Sequence, residues 1–184
     1  LEAQEVEAVL VSVSDGLLQP GRTMAAGVCI GSDGPVESVR LFSKVPFDRI
    51  RRLALDRSSM TSNALAQIVL ADLFRVEPET GIADPQLDVM LADCDACVLI
   101  GDAGMTAATG DLHVLDLGEA WTRSTGMPFV WAAWIGRDDL APRLVYHLAY
   151  AARDILLGDR EAIDSYVRIG SERTGLDPAV VERY

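Results

Sequence analysis

Strands alternating with helices along 184 residues predict an α/β protein. Three observations carry this. Short apolar runs recur at Ala8 to Val13, Ala96 to Ile100 and Phe129 to Ile135, each of strand length. Between them lie segments with helical spacing, the clearest placing Leu65, Ile68, Val69 and Leu73 on one face. No internal repeat or low-complexity linker interrupts the alternation.

The elements follow in order. Ala8 to Val13 reads as a strand, followed by a loop holding Pro20 and Gly21, and Thr23 to Ile30 as a second strand. Val36 to Ser43 alternates, Val39 and Leu41 against Arg40 and Phe42, as a half-buried strand does. Pro46 opens a short helical turn to Arg52, and Leu53-Ala54-Leu55 is a buried strand ending at Asp56. The hydroxyl-rich stretch that follows can cap a helix reaching about Phe74. Gln86 to Asp93 is a short helix and Ala96 to Ile100 a strand ending at Gly101-Asp102. Asp138-Asp139 can cap a long helix to Leu157, stopped by Gly158. Asp159 to Thr174 is helical, and Asp177-Pro178 opens a last helix with proline at its first position.

The composition, 49% hydrophobic and 24% charged, is that of an ordinary globular chain that buries a core without disulfides or metal. A net charge of −12 and a pI of about 4.5 argue against nucleic-acid or membrane-surface partners, which need a basic footprint. They do not exclude a small anion, which responds to local helix ends and hydroxyls. Cys94 and Cys97 form a CxxC, but Cys97 opens an apolar run and no second pair or histidine cluster follows. Buried, inert thiols are the simpler reading, and free cysteines fit a reducing cytoplasm. No apolar run is long enough to span a membrane, and no export signal is visible.

The sharpest chemical feature is the strand–loop–helix unit from Leu53 to Leu65. Ser58, Ser59, Thr61 and Ser62 place four hydroxyls in five positions at a helix N-terminus, where unpaired N–H groups and a partial positive charge favour an anion. Helix capping alone needs only one or two of them, and both readings stay open. Gly31-Ser32-Asp33-Gly34-Pro35-Val36 joins two strands and is ordinary turn chemistry. Asp102 stands just past the carboxyl end of a buried strand, where α/β proteins bind ligands. It can orient a hydroxyl or move a proton, or serve as another helix cap. His113 has no motif around it, and His147 lies on the long helix as a structural residue. No metal-ligand spacing, nucleophile elbow or phosphate loop is present.

Four blocks together resemble one family, the chorismate dehydratases of menaquinone biosynthesis. They are Cys29-Ile30-Gly31-Ser32-Asp33-Gly34-Pro35-Val36 with Ser38-Val39 and Leu41-Phe42-Ser43-Lys44; Ala54-Leu55-Asp56 with Ser58-Ser59 and Thr61-Ser62; Leu99-Ile100-Gly101-Asp102; and Asp116-Leu117-Gly118-Glu119-Ala120-Trp121 with Thr125-Gly126-Met127-Pro128-Phe129-Val130. The resemblance implies a periplasmic-binding-protein-like type II fold, two α/β lobes around a cleft, as one region over residues 1–184 with lobe boundaries not legible. It implies conversion of chorismate to 3-[(1-carboxyvinyl)oxy]benzoate and water in the futalosine route, in the cytoplasm, with no metal or organic cofactor. A sister family makes 1,4-dihydroxy-6-naphthoate, and a non-enzymatic solute receptor would share the fold. The SDGPV and LFSK wording favours the dehydratase.

The resemblance further implies that Ser58, Ser59, Thr61 and Ser62 bind substrate carboxylate, that Ser32, Gly34, Pro35 and Val36 line the other side of the cleft, and that Asp102 is catalytic. Relatives begin with a strand and a Ser-Tyr-x-Asn-like motif that is absent from this sequence, so the chain is expected to be N-terminally incomplete and inactive alone. Ala103-Gly104-Met105 stands where relatives carry Ala-Leu, and the extra glycine is expected to loosen the following helix.

Overall fold

The computed structural model describes residues 6, 8–137, 146–148, 150 and 157–183, side chains at 25–27 excepted. The chain divides into two compact units, Leu1–Gly31 with Val130–Tyr184, and Ser32–Phe129.

The first unit holds a three-stranded sheet in the order β1-β8-β2, formed by Ala8–Ser12, Phe129–Arg137 and Arg22–Ser32. β1 runs antiparallel to β8, with Ala8 opposite Gly136 and Ser12 opposite Ala132. The strand period of two buries Trp131, Ala133 and Ile135 together on one face. The expected loop after β1 is in fact a helix, α1 (Val13–Leu18). Gly16 faces the Ile135 side chain, which an added Cβ would crowd. Asp15 and Arg22 close the turn with an ion pair at 2.6 Å. Later in the unit come α6 (Arg160–Thr174), capped by the Asp159 carboxylate accepting from the Ala162 N–H at 3.1 Å, and α7 (Pro178–Arg183). The expected long helix at 140–157 lies almost wholly outside the described residues.

The second unit is built on a five-stranded sheet in the order β5-β4-β6-β3-β7: Glu79–Ala83, Arg52–Asp56, Ala96–Ile100, Val39–Ser43 and His113–Asp116. β4 is parallel to β5 and β6, while β3 is antiparallel to β6 and β7. β4 and β6 are buried nearly throughout, which is why they read as apolar runs; β3, read from its alternation as half-buried, is buried on both faces, with Phe42 as deep as Leu41. Five helices pack in this unit's chain: a short turn at Phe47–Arg49, then α2 (Met60–Val69, prolonged by a wider turn at Leu70–Phe74), α3 (Leu87–Asp93), α4 (Gly101–Thr106) and α5 (Leu117–Thr125). Leu41, Phe42, Leu53, Leu65, Leu70, Met90, Leu99 and Leu117 are fully buried. Cys97 belongs to this core, packed with Phe42, Ala54 and Met90, and burial pushes its thiol up to about 12. Of the CxxC pair, then, Cys97 is the buried thiol that the sequence reading expected, and Cys94 is half-buried. Among the described residues no helix is long and apolar enough to cross a membrane.

β5, β7 and α5 were not expected from the sequence. β5 and β7 are the two edge strands, short and partly exposed, so neither shows a strong apolar pattern.

Candidate functional site

Strand direction decides which loops meet. β4, β5 and β6 run parallel, so their carboxyl ends share one edge of the sheet. β3 runs the other way and begins on that edge, with Val39 opposite Ile100. β7 ends on it too, since Asp116 lies opposite Arg40. The Ser32–Ser38 loop, the hydroxyl loop after Asp56, the Gly101-Asp102 turn and the start of α5 therefore all leave the same edge. Adjacent strands are about 4.8 Å apart, so the hydroxyl loop and the Ser32–Ser38 loop, two strands removed, start about 10 Å from each other. All the residues picked out from the sequence as site residues lie in these segments. The carboxyl edge of the parallel strands is also where open α/β sheets bind ligands.

The hydroxyl loop is ordered by side-chain bonds to its own backbone. The Asn63 amide clamps Asp56, its Oδ1 accepting from the Asp56 N–H at 3.1 Å and its Nδ2 donating to the Asp56 carbonyl at 2.8 Å. Asp56 Oδ1 accepts from the Ser58 N–H at 2.8 Å and from Ser58 Oγ at 2.5 Å. Ser59 caps α2: its Oγ accepts from the Ser62 N–H at 3.2 Å and donates to Ser62 Oγ at 2.8 Å. Ser59, Thr61 and Ser62 are buried, and Ser58 is exposed. Of the four hydroxyls, then, two are engaged in the cap, and Ser58 is the one whose residue faces outward. Asp56 is fully buried, and its Oδ2 has no hydrogen-bond partner.

The Ser32–Ser38 loop is docked on α5. Asp116 caps that helix, accepting from the Glu119 N–H at 3.0 Å. The same carboxylate reaches across to the loop, accepting from the Val36 N–H at 3.1 Å and the Glu37 N–H at 2.7 Å. Glu37 stands at φ 58°, a left-handed conformation uncommon for a residue with a side chain. The Gly34 N–H donates to Thr122 Oγ at 3.0 Å. Gly118 is the point of closest approach: a Cβ there would lie 2.6 Å from the Gly34 carbonyl and 2.9 Å from Ser32 Oγ. Val36 is buried, Pro35 is exposed, and Ser32 and Gly34 are half-buried.

Asp102 is exposed in the first turn of α4 and is not its N-cap, which is Ile100 without a side-chain bond. The Asp102 carbonyl accepts from Thr106 Oγ at 2.6 Å. Gly104, the glycine expected to loosen α4, is a close-packing position. It is buried, and a Cβ there would strike the Ser38 carbonyl and come within 2.9 Å of the Leu99 carbonyl, so the glycine lets α4 lie directly on the backbone beside it. His113 starts β7 opposite Ser43, at the far end of the strand from Asp116, and packs edge-on against Phe47 at 5.9 Å. It is removed from the ligand edge by about 10 Å of strand. His147 is exposed.

Asp56, Asn63 and Asp116 were not singled out from the sequence. A signal existed for Asp116: Asp116-Leu117-Gly118-Glu119 places a capping residue three positions before a glutamate, a helix-start pattern.

Comparison with known proteins places this architecture. The profile of a family described as menaquinone biosynthesis matches residues 1–184. A curated chorismate dehydratase of Thermus thermophilus is 30% identical over 173 residues, covering 82% of this chain and 60% of that protein, so the chain spans less than two thirds of that relative's length. Among solved structures, protein AF1704 from Archaeoglobus fulgidus matches with a TM-score of 0.63 at 20% identity, over 100% of this chain and 69% of that one. The periplasmic aliphatic sulphonate binding protein SsuA from Escherichia coli matches with a TM-score of 0.63 at 13% identity, over 100% and 63%. These structural likenesses show the fold, the periplasmic-binding-protein-like α/β fold that the resemblance implied.

Proposed function

The chain belongs to the menaquinone-biosynthesis family, and from that premise we propose that it is the larger part of a cytoplasmic chorismate dehydratase of the futalosine route. The reading is carried by the 30% identity to the Thermus enzyme, supported by the meeting of segments from all four resembling blocks on one sheet edge. The substrate class is a small dianion, and the reaction is a hydro-lyase step.

Chorismate carries a ring C–H beside a carbon bearing hydroxyl. The C–H electron pair becomes a ring double bond, the hydroxyl leaves, and proton and hydroxide depart together as water, giving 3-[(1-carboxyvinyl)oxy]benzoate. Aromatisation drives the reaction, so the protein's task is orientation and charge stabilisation. On this reading a substrate carboxylate rests at the first turn of α2 over Ser59, Thr61 and Ser62, and the Ser58 hydroxyl, which donates to Asp56 Oδ1 in the structure, turns to the ligand when it binds. Ser32, Gly34, Pro35 and Val36 supply a second wall on the same edge. Asp102, exposed at the carboxyl end of β6, orients the departing hydroxyl or accepts a proton.

The test is incubation of the full-length gene product with chorismate, with mass spectrometry of the products. Loss of one water to give the enolpyruvyl benzoate is expected. A folded full-length protein that leaves chorismate intact refutes the proposal. Asp102→Asn with full activity at every pH would remove the acid–base role while leaving orientation.

A further inference from the structure

We propose that Asp116 is a positioning residue for the ligand edge: by fixing the Ser32–Ser38 loop on α5, it sets the wall against which substrate is held. The inference rests on the chorismate dehydratase reading for its substrate, and on geometry alone for the anchoring. A single carboxylate, standing where β7 ends and α5 begins, collects three backbone N–H groups from two segments about eighty residues apart in sequence, Val36 and Glu37 on the loop and Glu119 on the helix. A carboxylate suits this because it only accepts, and its two oxygens take several donors at once. Two further contacts fit the loop to the same helix. The Gly34 N–H is taken by Thr122 Oγ, and Gly118, with no Cβ, lets the Gly34 carbonyl and Ser32 Oγ close on the helix backbone.

A consequence follows for recognition. The amides of Gly34, Val36 and Glu37 all point into α5, so this loop does not form an amide nest for an anion as a turn rich in Gly and Asp otherwise might. Its contribution is shape, through Pro35 and Ser32, and that shape depends on a residue which itself touches no substrate. The left-handed Glu37 is part of the same device, since its N–H makes the shortest of the Asp116 bonds, at 2.7 Å.

The experiment compares full-length wild type with Asp116→Asn, Gly118→Ala and Thr122→Val, by amide hydrogen exchange and by steady-state chorismate turnover. In Asp116→Asn, one acceptor oxygen becomes an NH2 that opposes the loop amides. Exchange in the peptide covering residues 33–37 is expected to quicken about tenfold or more. KM for chorismate should rise about tenfold while kcat changes less than about threefold, because wall geometry governs binding. Thr122→Val should show the same pattern more weakly. Gly118→Ala pushes the loop off the helix without touching the carboxylate, and alanine is intrinsically the better helix former, so the same signature there reports the loop and not the helix. If Asp116→Asn fails to fold, Gly118→Ala carries both readouts. Unchanged exchange at 33–37 in the folded variants overturns the proposal, as does faster exchange with an unaltered KM, or a fall in kcat alone. A wild-type protein that releases no water from chorismate sinks the functional reading only, and the exchange comparison still decides whether Asp116 holds the loop.

Discussion

Replacing Ser59 by alanine separates capping from ligand binding at the hydroxyl loop. In the structure Ser59 Oγ accepts from the Ser62 N–H at 3.2 Å and donates to Ser62 Oγ at 2.8 Å, and both residues are buried. Losing a serine N-cap costs about 1 kcal/mol. The substitution also strips Ser62 Oγ of its partner inside the protein, where an unpaired polar group costs about 1–3 kcal/mol. Allowing for overlap, Ser59→Ala should destabilise the protein by about 2–3 kcal/mol. At this chain length that corresponds to a fall in Tm of about 5–10 °C. Urea unfolding at neutral pH is the assay, with a lowered midpoint and an unchanged m-value expected. Because Ser59 and Ser62 share one interaction, the double variant should cost less than the sum of the single ones by about 0.5 kcal/mol or more. A Ser59→Ala protein within about 0.5 kcal/mol of wild type, yet with KM for chorismate raised, would refute the argument and assign this hydroxyl to the ligand.

Three other expectations can be checked on the same protein. The Arg51 N–H, with the Arg52 N–H, holds the Asp95 carboxyl below its usual value of 3.8. Its contribution to stability is therefore present above about pH 4 and is lost as pH falls through the lowered folded value. The gap in unfolding free energy between wild type and Asp95→Asn should shrink from pH 5 to pH 2, and a gap constant with pH would contradict this. Alkylation at pH 8 should label exposed Cys29 first and leave Cys97, with its thiol near 12, untouched until the protein is unfolded. Peptide mass spectrometry decides it, and rapid native labelling of Cys97 would be the contrary result. Gly104→Ala should cost about 1–3 kcal/mol, because its Cβ meets backbone carbonyls that have little room to yield. Gly81→Ala, with open space around it, should stay within about 0.5 kcal/mol in the same urea unfolding, and equal effects would refute the packing argument.

What was legible in the sequence follows from where each element gets its stability. β4, β6, α2 and α3 carry their own signal, because each is buried densely enough to show an apolar run or a helical stripe. β7 is four residues long and held by pairing with Leu41, Phe42 and their neighbours some seventy positions away, which no local pattern reveals. β5 contains Glu79, Thr80 and Gly81 on an exposed edge and looks like loop. α1 packs Gly16 against Ile135, also a distant residue. At the site the residue types were readable one block at a time. Their convergence was not, because it rests on β3 and β7 being antiparallel to each other, so that one begins and the other ends at the edge where β4 and β6 finish.

That convergence also bears on how a chain of net charge −12 can present a face to a dianion. Net charge measures distant attraction, while binding depends on the charges that remain uncompensated near the ligand. Two carboxylates stand among the segments of the ligand edge as backbone anchors: Asp116 with three N–H donors, and Asp56 with the Ser58 N–H and hydroxyl on one oxygen. Asp95 does the same at the opposite edge, joining the starts of β4 and β6 through Arg51 and Arg52. Each engaged N–H offsets part of the anion's field and turns an acidic residue into a fixed piece of framework. The buried, unpartnered Oδ2 of Asp56 is the exception. Both Ser58 donors go to the other oxygen of that carboxylate, so an anion at α2 gains most from the helix N-terminus itself. The acidic composition is thus offset locally only in part: Asp56 and Asp116 hold loops in place, while Asp33 and Asp102 stay exposed on the same edge, so an anion there depends on the α2 N-terminus and its hydroxyls.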